Sequence, residues 1–380
     1  MAAASRCAGL LVVAMLAGAW SVAPRPCAAD ADASATPAWL REVALNGFLS
    51  TSYSYNFNRP ASGTNQLRVF DFDDNTFKLD VFELVVQRAV AKPRDAGFRV
   101  DLTLGSSVPR VTASAGLFRD TGGAAEDVDV HQAFASYVAP IGAGLRLDFG
   151  KFITQHGSEV IEGYDGWNDN ATRSLLFGFA IPFTHLGARA SYTFTPRVSA
   201  LLMVVNGWDV ARDNNSSKSI GGQLTWTPAT PLTIYLSGMT GPERTGDNSD
   251  PRNLLDVVAI LKPTSRLTLG ANADWGAEKN GAGPGRDAHW SGVAGYARLG
   301  VRGPFAVSLR AEYFDDADGA RTSTSQQLTE YTVTPELRLT PNLLVRGDAR
   351  LDRSNRSVFE KGNAFVETQP TALLAAVYSF

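Results

Sequence analysis

The chain has 380 residues, 44% of them hydrophobic, with 35 glycines, 20 phenylalanines and a formal net charge of −3. So mild a charge excludes an extended nucleic-acid-binding surface. Its two cysteines, Cys7 and Cys27, both lie in the leader described next, so neither a disulfide framework nor a thiolate metal site is expected beyond it.

The chain opens "MAAASRCAGLLVVAMLAGAWSVAPRPCAADADA", with one early positive charge at Arg6, an apolar run from Ala8 to Ala19 and small residues before Asp30. This is the tripartite pattern of a secretory signal peptide over residues 1–29, its apolar core too short to span a bilayer. Cleavage is expected after Ala29. Without Arg6 and Arg25 the chain keeps 33 basic residues against 38 acidic ones, a net charge of −5. Residues 30–43 form a short segment, too short for a plug domain. No later run of 18 apolar residues predicts a transmembrane helix.

From residue 44 onward one pattern repeats. In "ALNGFLSTSYSYNFN", Leu45, Leu49, Tyr53, Tyr55 and Phe57 alternate with Asn46, Ser50, Ser52, Ser54 and Asn56, a period of two long enough to cross a bilayer at a tilt. The same alternation runs through "GFRVDLTLG", "GLRLDFGK", "LGARASYTF", "SIGGQLTWT", "RLTLGANADW", "FAVSLRAEYF" and "LLVRGDARLD". A soluble sandwich can show it too, so three further features decide.

Short connections carry Pro93, Pro140, Pro196, Pro228, Pro263, Pro304 and Pro341, spaced by 47, 56, 32, 35, 41 and 37 residues. Each interval holds two strands and a longer polar loop, such as "RPASGTNQLRVFDFDDN" or "GPERTGDNSDPRN". Short turns at one end and long loops at the other predict a transmembrane antiparallel up-and-down β-barrel of 16 strands over residues 44–380. Aromatic residues sort to the strand ends: Tyr192, Phe194, Trp226, Phe305 and Tyr378 near the short turns, Tyr53, Tyr55, Trp275 and Tyr313 near the long loops. Two interfacial girdles explain this sorting. The last strand, "TALLAAVYSF", ends on Phe380 and resembles the sorting signal by which outer-membrane barrels engage their assembly machinery.

The segments "GKFITQHGSEVIE", "SLLFGFAIPFTHLGARASY", "VVNGWDVARDNNSSKSIGGQLTW" and "SGMTGPE" resemble the outer-membrane β-barrel porins of the OmpL-like group. The resemblance implies a pore-forming barrel in the bacterial outer membrane, passing small hydrophilic solutes or ions passively. It names no particular solute. By analogy with general porins it also implies a homotrimer and a third external loop folded into the lumen. That loop, residues 152–185, is the longest in the chain. Within and beside it, Lys151, His156, Glu159, Glu162, Asp165, Asp169 and Arg173 become candidates to line a constriction. Opposite them stand Arg310, Arg338, Arg346 and Arg350 on strands 13 to 15, with Arg189 and Arg298 as further inward arginines. Acids facing bases across the gap would set a transverse field, while Glu312, Glu336, Asp348 and Asp352 on the same faces favour local cross-strand pairing instead. Four loop acids against Arg173 and Lys151 predict a weak cation preference.

Other readings are less well supported. "HGSE" places His156, Ser158 and Glu159 close together, as an outer-membrane hydrolase would need, but nothing orients them as nucleophile, base and orienter. His156 and Glu159 lack a third zinc ligand. The acids of "DFDDN" and "DDADG" do not match a calcium loop, and no helix follows "NGAGPG" to make a phosphate site. A structural barrel with a plugged lumen is the remaining alternative. No cofactor and no nucleic acid partner is expected.

Overall fold

The computed structural model describes residues 41–380, apart from 113–115 and Asp165, and gives Thr112 in its backbone only. Residues 1–29, read above as a signal peptide, lie outside the described residues. Sixteen antiparallel strands close into one barrel. In chain order they are β1 (Ala44–Asn56), β2 (Thr76–Arg88), β3 (Ala96–Leu104), β4 (Val128–Ala139), β5 (Leu145–Ile153), β6 (Thr184–Thr195), β7 (Val198–Val205), β8 (Ser219–Ala229), β9 (Leu232–Pro242), β10 (Pro251–Leu261), β11 (Leu267–Glu278), β12 (Ala288–Arg302), β13 (Phe305–Asp316), β14 (Gln326–Arg338), β15 (Leu343–Ser354) and β18 (Thr368–Ser379). A small hairpin, β16 (Phe359–Lys361) and β17 (Ala364–Val366), stands outside the barrel sheet in the last long loop.

The alternation read in the sequence is the inside–outside alternation of this wall. On β13, Leu309 and Tyr313 are exposed on the outer surface while Arg310 and Glu312 are buried inside. Phe77, at 83% exposed, and Phe149, at 73%, show the same inversion of a soluble protein. Lipid, not water, is the solvent that suits such an outer face. No helix among the described residues is long and apolar enough to cross a membrane; the strands do the crossing, and closure leaves no unpaired edge in lipid.

Closure is made by the first and last strands, Leu49 facing Tyr378 and Tyr53 facing Leu374. The C-terminal aromatic takes part: Gly47 N donates to Phe380 O at 2.8 Å and Phe380 N to Gly47 O at 3.0 Å. Glycine at position 47 lets the Phe380 ring lie against the backbone; a Cβ there would come within 2.0 Å of the ring, which would have to shift.

The short turns are as brief as the prolines suggest, only Arg197 and its neighbour Pro196 separating β6 from β7 and residues 303–304 separating β12 from β13. The long connections at the opposite end include L1 (57–75), L2 (105–127), which carries α1 (Val108–Thr112), L3 (154–183) and L4 (206–218). L3 contains a short π-helical turn, Leu176–Ala180. Its apolar half, Leu175, Leu176, Phe177 and Ile181, is fully buried against Met203, Trp208, Trp290 and Phe314. The main hydrophobic core therefore lies inside the barrel, on the β6–β13 side. Each such side chain contributes about 1.5–3 kcal/mol by leaving water.

The lumenal site formed by the third loop

L3 is held from several directions by groups that point inward from the wall. Four carboxylates, each on a different strand, accept its backbone N–H groups. Glu83 of β2 accepts from Tyr164 at 2.6 Å, and Asp256 of β10 from Gly157 at 3.0 Å. Glu312 of β13 accepts from Leu175 and Leu176 at 2.7 and 3.2 Å. Asp348 of β15 accepts from Ala171 and Thr172 at 3.1 and 2.7 Å. Consecutive N–H groups converging on a carboxylate supply charge-assisted bonds without any side-chain cation. Gly163 lets the backbone come this close, since a Cβ there would sit 2.6 Å from Glu83 Oε2.

Arginines complete the attachment. Arg310 donates to Glu159 Oε1 at 2.7 Å, to Thr172 O at 2.7 Å and to Glu330 Oε2 at 3.0 Å. Arg346 donates to Glu162 Oε1 and to Asn168 O, both at 2.6 Å. Arg350 donates to Arg173 O and pairs with Asp352. The sheet register explains this division of labour. Glu312, Glu330 and Asp352 lie side by side in one row across β13, β14 and β15, and Arg310, Thr332 and Arg350 in the next. Like charges directly opposite one another are destabilising, so each row needs partners from its neighbour row or from the loops.

The sequence-derived site residues are thus placed as follows. Glu159 and Glu162 reach the wall arginines, and Glu162 also meets Arg173 at 3.3 Å. Burial, which would raise the pKa of Glu162, is outweighed by Arg173 and Arg346, so its carboxyl titrates below its ordinary value. Asp169 meets Arg298 at 3.3 Å; burial raises its pKa, Arg298 opposing and Glu336 reinforcing the rise. The Arg173 guanidinium lies 4.9 Å from the ring centre of Phe70. Lys151 turns to Asp129 of β4, 2.6 Å away, and Arg338 stands over Trp167 near the short turns. Asp165 lies outside the described residues.

Two expectations need correction. Among the described loop acids, Glu159 and Glu162 do not face the arginines across an open gap but bond to them directly, so the transverse field and the cation preference lose these two acids as unpaired charges. Local pairing across strands is also incomplete as an account, because Glu312 and Asp348 serve the loop backbone. Sequence reading assigned Glu312 and Asp348 to pairing within the wall, and missed Glu83 and Asp256 as well as the entry of L1 into the lumen. Arg68 of L1 is buried against Asp71, Asp352 and Thr371. The available signals were inward acids with no basic residue opposite, such as Asp256 against Asp274, and one arginine amid the apolar "LRVF" of a polar loop.

His156 and Glu159 have separate partners. His156 Nε2 is 3.3 Å from Gln155 Nε2 and its ring is 6.5 Å from that of His185. Among the described residues no group of three or more His, Cys, Asp or Glu side chains converges as metal ligands would. Burial, and then His185, push the His156 pKa from 6.5 down to about 3. A histidine depressed in the folded state stabilises the fold above its unfolded pKa, and that contribution is lost as pH falls from about 6.5 toward 3. Replacing His156 by Gln is expected to flatten the acid side of the stability profile in this window. Melting curves of the two proteins recorded across it, if superimposable, would discharge His156 from that role.

A closed 16-stranded wall with a long loop bonded inside it is porin architecture, and the family model for beta-barrel porin-2, OmpL-like, matches residues 42–380. The chain belongs to that family. It is an outer-membrane porin. Among solved structures the porin is similar to an anion-selective porin from Comamonas acidovorans, with a TM-score of 0.60 and 12% identity over 89% of this chain and 99% of that one. It is also similar to OprB of Pseudomonas putida, with a TM-score of 0.59 and 11% identity over 90% and 94%. A third is the trimer form of in-vitro folded OmpT of Vibrio cholerae, with a TM-score of 0.58 and 11% identity over 89% and 99%. At such identities the likeness is one of fold. No curated protein matches at a significant level.

Beside L3 lie two spaces. The one nearer the long loops is bounded by Ser50, Asp80, Thr103 and His131 on the wall, by apolar Val81, Val108 and Leu373, and by Glu162 and Arg173 on L3. The one nearer the short turns is bounded by Arg99, Gln132, Ser136, Arg146 and Arg189.

Proposed function

We propose that L3 is the constriction of this porin and that small hydrophilic solutes and ions diffuse passively past it, along the β1–β6 side of the lumen. The observation that carries this is how L3 spans the lumen: tied to β2, β10, β13 and β15, with its apolar half packed toward β6–β13, it leaves two spaces beside it, one bordered by β1 to β4 and the other by β2 to β6. Ser50, Thr103 and Gln132, set among apolar residues such as Val81, Val108 and Leu373, give water and solute hydrogen-bond partners along this path. His156, Glu159, Glu162, Asp169, Arg173, Arg310, Arg346 and Arg350 then act by holding the loop in place. A homotrimer is proposed with it, supported by the trimer form of the similar OmpT.

The test is planar-bilayer recording of the purified barrel. Stepwise single-channel conductance in simple salt is expected, and its absence from several independent preparations would overturn the channel reading and favour a structural role.

A further inference from the structure

We propose that Asp274 is a positioning residue for the third loop, acting through Asp256, with which it shares a single proton. This rests on L3 being the constriction, as proposed above. Asp256 of β10 and Asp274 of β11 stand directly opposite one another in the sheet register, and both are buried on the lumenal face. Their carboxyl groups lie within hydrogen-bonding reach of each other. Asp256 has donors of its own: the Gly157 N–H of L3 at 3.0 Å, Asn272 Nδ2 at 2.8 Å and the Ser237 hydroxyl. Neither oxygen of Asp274 meets a donor in good geometry. The Asn272 amide approaches it too, but is bonded to Asp256 Oδ1. On its other side Asp274 faces Gly292 of β12, over which Leu176 and Phe314 lie; a Cβ at Gly292 would meet them at 2.7 and 3.1 Å. A buried carboxylate without a donor, set beside a second carboxylate and apolar side chains, is a high-energy state. One proton held between the two relieves it. The Asp274 hydroxyl then donates to Asp256, which stays an anionic acceptor for the loop backbone.

The groups around the pair leave it this role. Among the described residues neither aspartate forms an ion pair, and β9 and β12 place only Ser237 and Gly292 opposite them. On β13, Glu312 accepts from Leu175 and Leu176, and Arg310 is committed to Glu159 and Glu330. On L3, His156 precedes Gly157 and lies against the Gln155 side chain. The same network holds the next residue of the loop, because Ser158 N donates to Asn272 Oδ1 at 3.1 Å. When hydroxide takes the shared proton at alkaline pH, two anions face each other on adjacent strands, which is destabilising. Moving the Asp256 side chain away relieves the repulsion but releases Gly157 and disturbs Asn272. The attachment of the start of L3 is therefore present while the proton is held and is lost as pH rises.

The variant to test is Asp274→Asn, since a carboxamide has nearly the same size, donates to Asp256 and does not ionise. Infrared difference spectra of the detergent-solubilised barrel, wild type minus Asp274→Asn at neutral pH, read the proton without any current. A neutral carboxylic acid C=O band that disappears as pH is raised would support the proposal, and a difference spectrum without it would overturn it. Single-channel recording gives the second readout. Wild-type current is expected to become several-fold noisier between neutral and alkaline pH, while Asp274→Asn keeps its neutral-pH behaviour throughout. Identical pH profiles of the two proteins would overturn the positioning role. A barrel that shows the band but carries no current would refute the proposed channel and leave the shared proton standing.

Discussion

Replacing residues 156–173 by a short glycine–serine bridge is expected to raise single-channel conductance several-fold, with larger solutes passing that the intact porin rejects. The segment crosses the lumen and is tied to β2, β10 and β15 through Glu83, Asp256 and Asp348 and to β13 through Arg310. Without it, those carboxylates and Arg310, Arg346 and Arg350 face water in a wide barrel, where they are solvated and need no protein partner. The wall hydrogen bonds do not involve the loop, so the barrel itself should persist, which heat-resistant migration in detergent gels would check. Unchanged conductance in a folded variant would show that the loop does not set the narrowest point.

Substituting Arg310 alone should have the largest effect of any single change on stability. Its side chain is fully buried and it donates to Glu159, Glu330 and Thr172. An Arg310→Met variant keeps the apolar stem but leaves Glu159 and Glu330 buried without this partner, beside Glu312 in the same row. Breaking one side of a buried ion pair costs about 3–5 kcal/mol, to be read as a lower unfolding temperature in detergent. Freed at Thr172 and Glu159, L3 should also move, giving noisy, sub-conductance currents. Adding Glu159→Gln and Glu330→Gln should recover part of the lost stability, because the uncompensated charges are then removed. A melting temperature within a degree or two of wild type for Arg310→Met would contradict the anchoring role.

The wall was legible because a strand's side-chain period is two and the lipid face tolerates few polar groups. Leu309 and Tyr313 against Arg310 and Glu312 could be sorted to opposite faces from spacing alone, and the structure sorts them so. The proline-marked turns set the count of strands, and length singled out L3. Of the L3 candidates, Glu159 and Glu162 meet wall arginines directly, where the sequence reading had set them across a gap. Glu159 and Arg310 are 151 positions apart, and Glu162 and Arg346 are 184 apart; no local pattern connects residues so distant, and only the closed sheet brings them into contact. For the same reason the acids looked unpaired in the sequence while the lumen neutralises them. Arg189, which borders open space, was read in the sequence only as one more inward arginine, since an inward arginine on a strand looks the same whether a loop covers it or not.

By itself, the sequence determined the barrel: alternation, turns and aromatic ends follow from the bilayer as solvent, and each acts over a few residues. Which inward charges hold the third loop and which still face solute was decided only in the tertiary structure. The lumen is filled by loops whose irregular backbone takes its hydrogen-bond partners from strands far away in the chain, and those partnerships exist only once the wall has closed.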